Sequence, residues 1–177
     1  MRNFEYIPLR ATSQYSLLEG SMKIENIASK AINHNIPAVG LTDRNNLFGA
    51  LEFSEKMIES GIQPIIGCNL SFSYKNIDGS LVLLAKNEEG YNNLIRLSSE
   101  LYLSNNNEKL SLNYLSKFNE GLILLSGGYG GLVNNFLKHG RKKDAVETIK
   151  NLNSLFKSRF YLDCLLYTSP SPRDTAI

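Results

Sequence analysis

Two cysteines and two histidines are the whole supply of thiol and imidazole ligands in a chain of 177 residues, and their placement excludes several chemistries. Cys68 and Cys164 stand far apart without C-x-x-C spacing, which excludes a zinc knuckle and a disulfide framework and fits reduced thiols. His34 and His139 fall near the ends of helix-like segments, far from each other. No apolar run is long enough to span a bilayer, and the polar start of the chain is unlike a signal peptide. A cytoplasmic chain without membrane contact is therefore expected. Charge of one sign is also scarce. Lys and Arg outnumber Asp and Glu by 19 to 17, a net +2 that is too small to predict a nucleic-acid partner by itself. Phe4, Tyr6 and Tyr15 are not interleaved with basic residues, so they do not form a stacking platform for bases.

What is present is ordinary globular material, 42% apolar and 20% charged, sufficient for one domain with a core. Short apolar runs alternate with segments of helical period, the pattern of βα units around a mostly parallel sheet. Residues 7–11 read as a first strand. Ile24, Ile27, Ala28, Ala31 and Ile32 recur at three- and four-residue steps, which predicts an amphipathic helix over 24–34. Residues 38–42 read as a buried strand ending on Asp43, followed by a helix through Leu47, Leu51, Phe53 and Met57 that Gly61 terminates. Strands are expected over 62–74 and 81–85, and a helix over 90–103. A strand over 122–125 ends in Ser126-Gly127-Gly128. Helices over 132–138 and 144–156 then lead to a strand over 160–162.

The last stretch is unlike the rest. Ser169-Pro170-Ser171-Pro172 cannot continue a helix or a central strand, and residues 165–174 resemble translated sequencing-adapter read-through. A domain over 1–163 and a foreign or unstructured tail over 164–177 are expected.

Five blocks carry a family resemblance: residues 9–20, 37–53, 61–68, 83–94 and 120–128. The first keeps Tyr15-Ser16-Leu17-Leu18-Glu19-Gly20 after its strand, and the second keeps Thr42-Asp43 and Asn46 ahead of Phe48-Gly49. In this order and spacing they resemble the PHP domain that opens the alpha subunit of bacterial DNA polymerase III. The resemblance implies an α/β fold, a PHP-type βα barrel related to the TIM architecture. Such barrels run to about 250 residues, so a barrel truncated before closure is expected.

In active PHP domains His, Asp and Glu side chains at strand ends hold divalent metals that activate water for phosphoester hydrolysis. Here the family's first two histidines are replaced by Arg10 and Thr12, and the histidine after Asp43 by Arg44. The expected glutamate is Asn69 and a further expected histidine is Ser80. Only Glu19 and Asp43 remain as ligand types, so no intact metal site or catalytic residue is expected. Pairing of Asp43 or Glu19 with Arg10 or Arg44 is expected to hold the strand ends instead.

By the same resemblance, the longer protein is a DNA-directed DNA polymerase whose Mg²⁺-binding aspartates, and most DNA contacts, lie outside this chain. Its implied partners are the epsilon proofreading exonuclease, the sliding clamp and other replicase subunits. The competing readings are a metal-dependent phosphoesterase or built-in 3′–5′ proofreader, and the alpha-like error-prone polymerase. Two local features have plain explanations. Ser126-Gly127-Gly128 with Gly130 and Gly131 suggests a phosphate cradle but matches neither G-x-G-x-x-G nor a P-loop, and reads as a tight βα turn. Lys138, His139 and Arg141-Lys142-Lys143 read as a solvated helix start.

Overall fold

The computed structural model describes residues 6–103 and 109–163. Phe4, Cys164 and the tail over 164–177 lie outside the described residues.

The helix predicted first forms as α1 (Ile24–Asn33), burying Ile24, Ile27, Ala28 and Ala31. Strand β1 (Ala38–Arg44) is buried except at Arg44. Helix α2 (Ala50–Glu59) follows, and Gly61, at φ +68°, turns the chain out of it. Strands β2 (Gln63–Tyr74) and β3 (Ile77–Ala85) precede the long α3 (Glu88–Leu103). After the short α4 (Leu112–Leu115) come β4 (Leu122–Leu125), α5 (Leu132–Lys138), α6 (Lys142–Phe156) and β5 (Phe160–Tyr161). Among the described residues no helix is long and apolar enough to cross a membrane.

The sheet is ordered β1-β2-β3-β4-β5, and it departs from the mostly parallel expectation. β1 and β2 are parallel, as are β4 and β5, but β3 runs antiparallel to both its neighbours. The cause is local. Tyr74 pairs with Ile77, leaving Lys75 and Asn76 as a two-residue loop with φ of 50° and 59°, the double left-handed geometry of a type I′ hairpin turn. The segment expected as a first strand makes only a bridge, Ala11 to Leu41. Pro8 lacks the N–H a longer ladder needs, but Gly40 N–H donates to Pro8 O at 2.8 Å and Ala11 N–H donates to Gly40 O at 2.8 Å. Gly40 lets these backbones meet, since a Cβ there would lie 2.4 Å from Leu9 O.

Both faces of the sheet are apolar, as expected when both are covered. On β3, Leu81 and Leu83 join α3, α5 and α6 in the largest cluster, with Phe72, Phe136 and Phe156. Val82 and Leu84 face the other way, with Leu125, Ile65 and Ile123. A third cluster packs α1 and α2 on β1 through Phe53, Met57, Val39 and Leu41. This packing fixes the C-terminal ends of β1 and β4 beside the N-terminal half of β3.

Candidate functional site: a polar cleft at the strand ends

The C-terminal end of β1 delivers Asp43 inward and Arg44 outward, because successive side chains on a strand alternate in direction. Asp43 is 1% exposed. Its Oδ1 accepts from Ser13 N–H and from the Ser16 hydroxyl, both at 2.7 Å, and its Oδ2 accepts from the Ser13 hydroxyl at 2.6 Å. Ser16 Oγ also accepts from Arg44 N–H at 2.9 Å. The buried carboxylate thus ties the loop before α1 to the end of β1. Below it, Cys68 Sγ lies 3.3 Å from the carbonyl oxygens of Asp43 and Asn46. Burial pushes the Cys68 thiol far above its ordinary pKa, with the nearby Asp43 charge adding to the effect.

The turn after Asp43 is built by asparagines. Asn45 takes φ +57°, a conformation its short polar side chain tolerates, and its Oδ1 accepts from Ser71 N–H at 2.9 Å. Asn46 Oδ1 accepts from Phe48 N–H at 3.1 Å while its Nδ2 donates to Tyr15 O at 3.0 Å. The Asn46–Phe48 bond is a local Asx-type turn, and the other two tie the loop to β2 and to the segment before α1.

Above this floor lies a cleft of about 630 Å³ whose wall includes Arg10, Glu19, Arg44, Asn69 and Ser80. Of the positions singled out in the sequence, these five come together. Thr12 and Asp43 do not line the cleft, and neither histidine does. His139 caps α5, its Nδ1 2.8 Å from Asn135 O. The cleft also takes in Asp78 and Lys109, which pair at 2.6 Å, and Lys109 holds the Asp78 carboxyl below the usual range.

Of the expected ion pairs, Glu19 with Arg44 forms, while Asp43 and Arg10 take other partners. Glu19 meets Arg44 across the cleft mouth, with both side chains over two-fifths exposed. Asp43 does not serve an arginine; two serines supply its hydrogen bonds. Arg10 instead reaches Asp163, just beyond β5, at 2.6 Å. The physical reason is depth. Asp43 is enclosed by the 13–16 loop, so small hydroxyls reach it where a guanidinium would need a larger space.

Sequence reasoning missed Ser13, Ser16 and Asp163. The first two sit in a quoted motif, where S-x-x-S ahead of a strand-end aspartate is a weak signal of carboxylate capping. Asp163 carries no local signal. The glycine turn is likewise filled from within, Gly128 N–H donating to Asp163 Oδ1 at 2.9 Å, so it is a turn and not an open phosphate cradle. The basic cluster is also partnered internally. Arg141 Nε donates to Asp144 Oδ2 at 2.8 Å, and Lys138 Nζ donates to Tyr129 O at 2.7 Å.

The fold family implies divalent metals at such strand ends, and the donor set does not fit them. Among the described residues no three His, Cys, Asp or Glu side chains form a group able to hold a metal ion. Asn69 Oδ1 is buried without a hydrogen-bond partner, a neutral oxygen on a cleft that Arg10 and Arg44 also line. One amide oxygen and two carboxylates, Glu19 and Asp78, each already ion-paired, are too few for the multi-ligand shells of Zn²⁺ or Mn²⁺.

An α/β domain with a polar cleft at its strand ends is the setting in which PHP chemistry occurs, and this chain belongs to the PHP domain family, whose model matches residues 8–165. It is homologous to the N-terminal region of DNA polymerase III subunit alpha. The subunit from Caulobacter vibrioides is 39% identical over 171 residues, covering 89% of this chain and 15% of the relative. That from Rickettsia prowazekii is 36% identical over 170 residues, covering 94% and 14%. The Borreliella burgdorferi subunit is 39% identical over 171 residues, with coverage of 89% and 15%. The chain therefore spans about 15% of the length of these relatives. Among solved structures, an amidohydrolase from Chromobacterium violaceum aligns with a TM-score of 0.42 at 15% identity, over 81% of this chain and 54% of its own.

Proposed function

We propose that this PHP domain is a non-catalytic scaffold and docking module of a replicative DNA polymerase, with its metal-dependent phosphoesterase chemistry lost. The observation that carries the reading is the convergence of Arg10, Glu19, Arg44, Asn69 and Ser80 on one cleft. Permanent cations occupy positions where the family places imidazoles. Two unit charges about 4 Å apart at an effective dielectric near 20 repel by about 4 kcal/mol, and a divalent ion by about twice that. The domain comprises residues 1–163, with 164–177 foreign to it. Template-directed nucleotide addition, with its Mg²⁺, belongs to the remainder of the polymerase. The partners are the epsilon proofreading exonuclease, the sliding clamp and other replicase subunits, in the cytoplasm.

The test is titration of the chain with Zn²⁺ and Mn²⁺ by calorimetry, paired with a phosphoester hydrolysis assay. Neither heat of stoichiometric binding nor metal-dependent turnover is expected. Arg44→His alone should not restore either, because Arg10, Thr12, Asn69 and Ser80 still withhold ligands. Tight stoichiometric binding with turnover makes the domain an enzyme and overturns the reading.

A further inference from the structure

The most heavily shared side chain at the strand ends is one that the metal-site pattern does not contain. Asp163 Oδ1 accepts from the Ser126 hydroxyl at 2.6 Å and from Gly128 N–H at 2.9 Å, while Oδ2 accepts from Arg10 Nη1 at 2.6 Å. Asp163 N–H donates back to Ser126 Oγ at 3.1 Å. The Arg10 and Asp163 side chains are 18% and 10% exposed, so the pair is screened far less than a surface ion pair. Gly127 and Gly128 make the seat possible. Both have positive φ, 86° and 58°, and a Cβ on Gly127 would lie 2.4 Å from Ser80 O.

Position adds a second observation. Arg10 lines the polar cleft and also a separate cavity of about 500 Å³. That second cavity is walled by Ile7, Leu9, Leu84, Ile123 and Tyr161, and Asp163 lines it too. The ion pair therefore stands as the partition between a polar space and an apolar one.

We infer that Asp163 is a built-in anionic clasp: its carboxylate fills an oxyanion-sized seat formed by Ser126, Gly128 and Arg10, latching the N-terminal segment to the end of β5 and closing the seat to outside anions. Charge-assisted bonds to a carboxylate are short and strong, and the three donors come from two segments, the N-terminal one and the turn after β4. The inference does not rest on the docking role, since it concerns what holds the cleft wall in place.

Chemical rescue tests it on the 177-residue chain. Asp163→Ala should lower the Tm by several degrees. Sodium formate or acetate should recover part of that loss, compared with sodium chloride at equal ionic strength, while leaving the unsubstituted protein unmoved. A carboxylate effect no larger than that of chloride, or equal in both proteins, overturns the clasp. If Asp163→Ala does not fold, Arg10→Met decides by hydrogen exchange. Gly128 N–H should stay protected, because Asp163 keeps its seat, while Ala11 N–H should exchange at least tenfold faster. Unchanged exchange at Ala11 rejects the latch.

Discussion

Asp43 accepts both the main-chain N–H and the hydroxyl of Ser13, at 2.7 and 2.6 Å, inside a fully enclosed pocket. One carboxylate thereby fixes the position and the rotamer of a residue 30 positions earlier. Asp43→Ala should cost on the order of 3 kcal/mol, because hydrogen bonds to a charged group are lost and the Ser13 and Ser16 donors are left buried without acceptors. Ser16→Ala, which removes one of the donors, should cost less. Guanidinium denaturation of both variants checks the order, and an Asp43→Ala chain as stable as the parent would refute the capping role.

Cys68 gives a pH dependence of definite sign. Its folded-state pKa is raised by burial above the ordinary 9.0, so the stabilisation it brings is complete below that value and is lost as pH rises beyond it. Above about pH 9 the unfolded thiol ionises and the folded one does not, and stability should fall by about 1.4 kcal/mol per pH unit from this group. Urea midpoints between pH 8 and 10 should drop more steeply for the parent than for Cys68→Ala. Parallel slopes would show that the thiol titrates normally in the fold.

The hairpin that inverts β3 depends on Lys75 and Asn76 holding positive φ. Asn76→Gly should leave stability unchanged or raise it by about 0.5 kcal/mol, whereas Asn76→Val should lower it by about 1–2 kcal/mol, since a β-branched residue resists the left-handed region. Urea melts of the two variants distinguish a turn set by backbone conformation from one set by side-chain contacts.

Gly40 is the close-approach point between the N-terminal segment and β1. A methyl group there would meet Leu9 O at 2.4 Å and Leu9 C at 2.8 Å. Both are backbone atoms that cannot swing aside. Gly40→Ala should cost about 1–3 kcal/mol by overpacking and loosen residues 8–11, which limited proteolysis followed by mass spectrometry would detect as new cleavage ahead of Thr12.

Much of this fold was legible because period and punctuation agree. The helix read over 24–34 and the strands read over 38–42, 62–74 and 122–125 follow from apolar spacing and its punctuation, and they form within a few residues of those bounds. Strand direction did not follow. The Tyr74-Lys75-Asn76-Ile77 turn lacks the glycine that marks most tight hairpins, so the inversion of β3 was hidden in two backbone angles. At the site, the positions that gather in the cleft were legible from motif spacing, and so was the Glu19–Arg44 pair, but the partners of Asp43 and Arg10 were not. Sequence order says nothing of depth, and depth decided that hydroxyls reach Asp43 while Arg10 finds Asp163.

Arg10 and Asp163 are separated by 153 positions, and this separation sets a schedule for the nascent chain. At about 5–20 residues per second of synthesis, roughly 8–30 s pass between the appearance of the guanidinium and that of its carboxylate. During that interval the N-terminal segment holds to elements already made, through bonds such as Ala11 N–H to Gly40 O. A ribosome paused between β1 and β5 would therefore present a half-fastened domain, with an arginine on its rim still waiting for its partner.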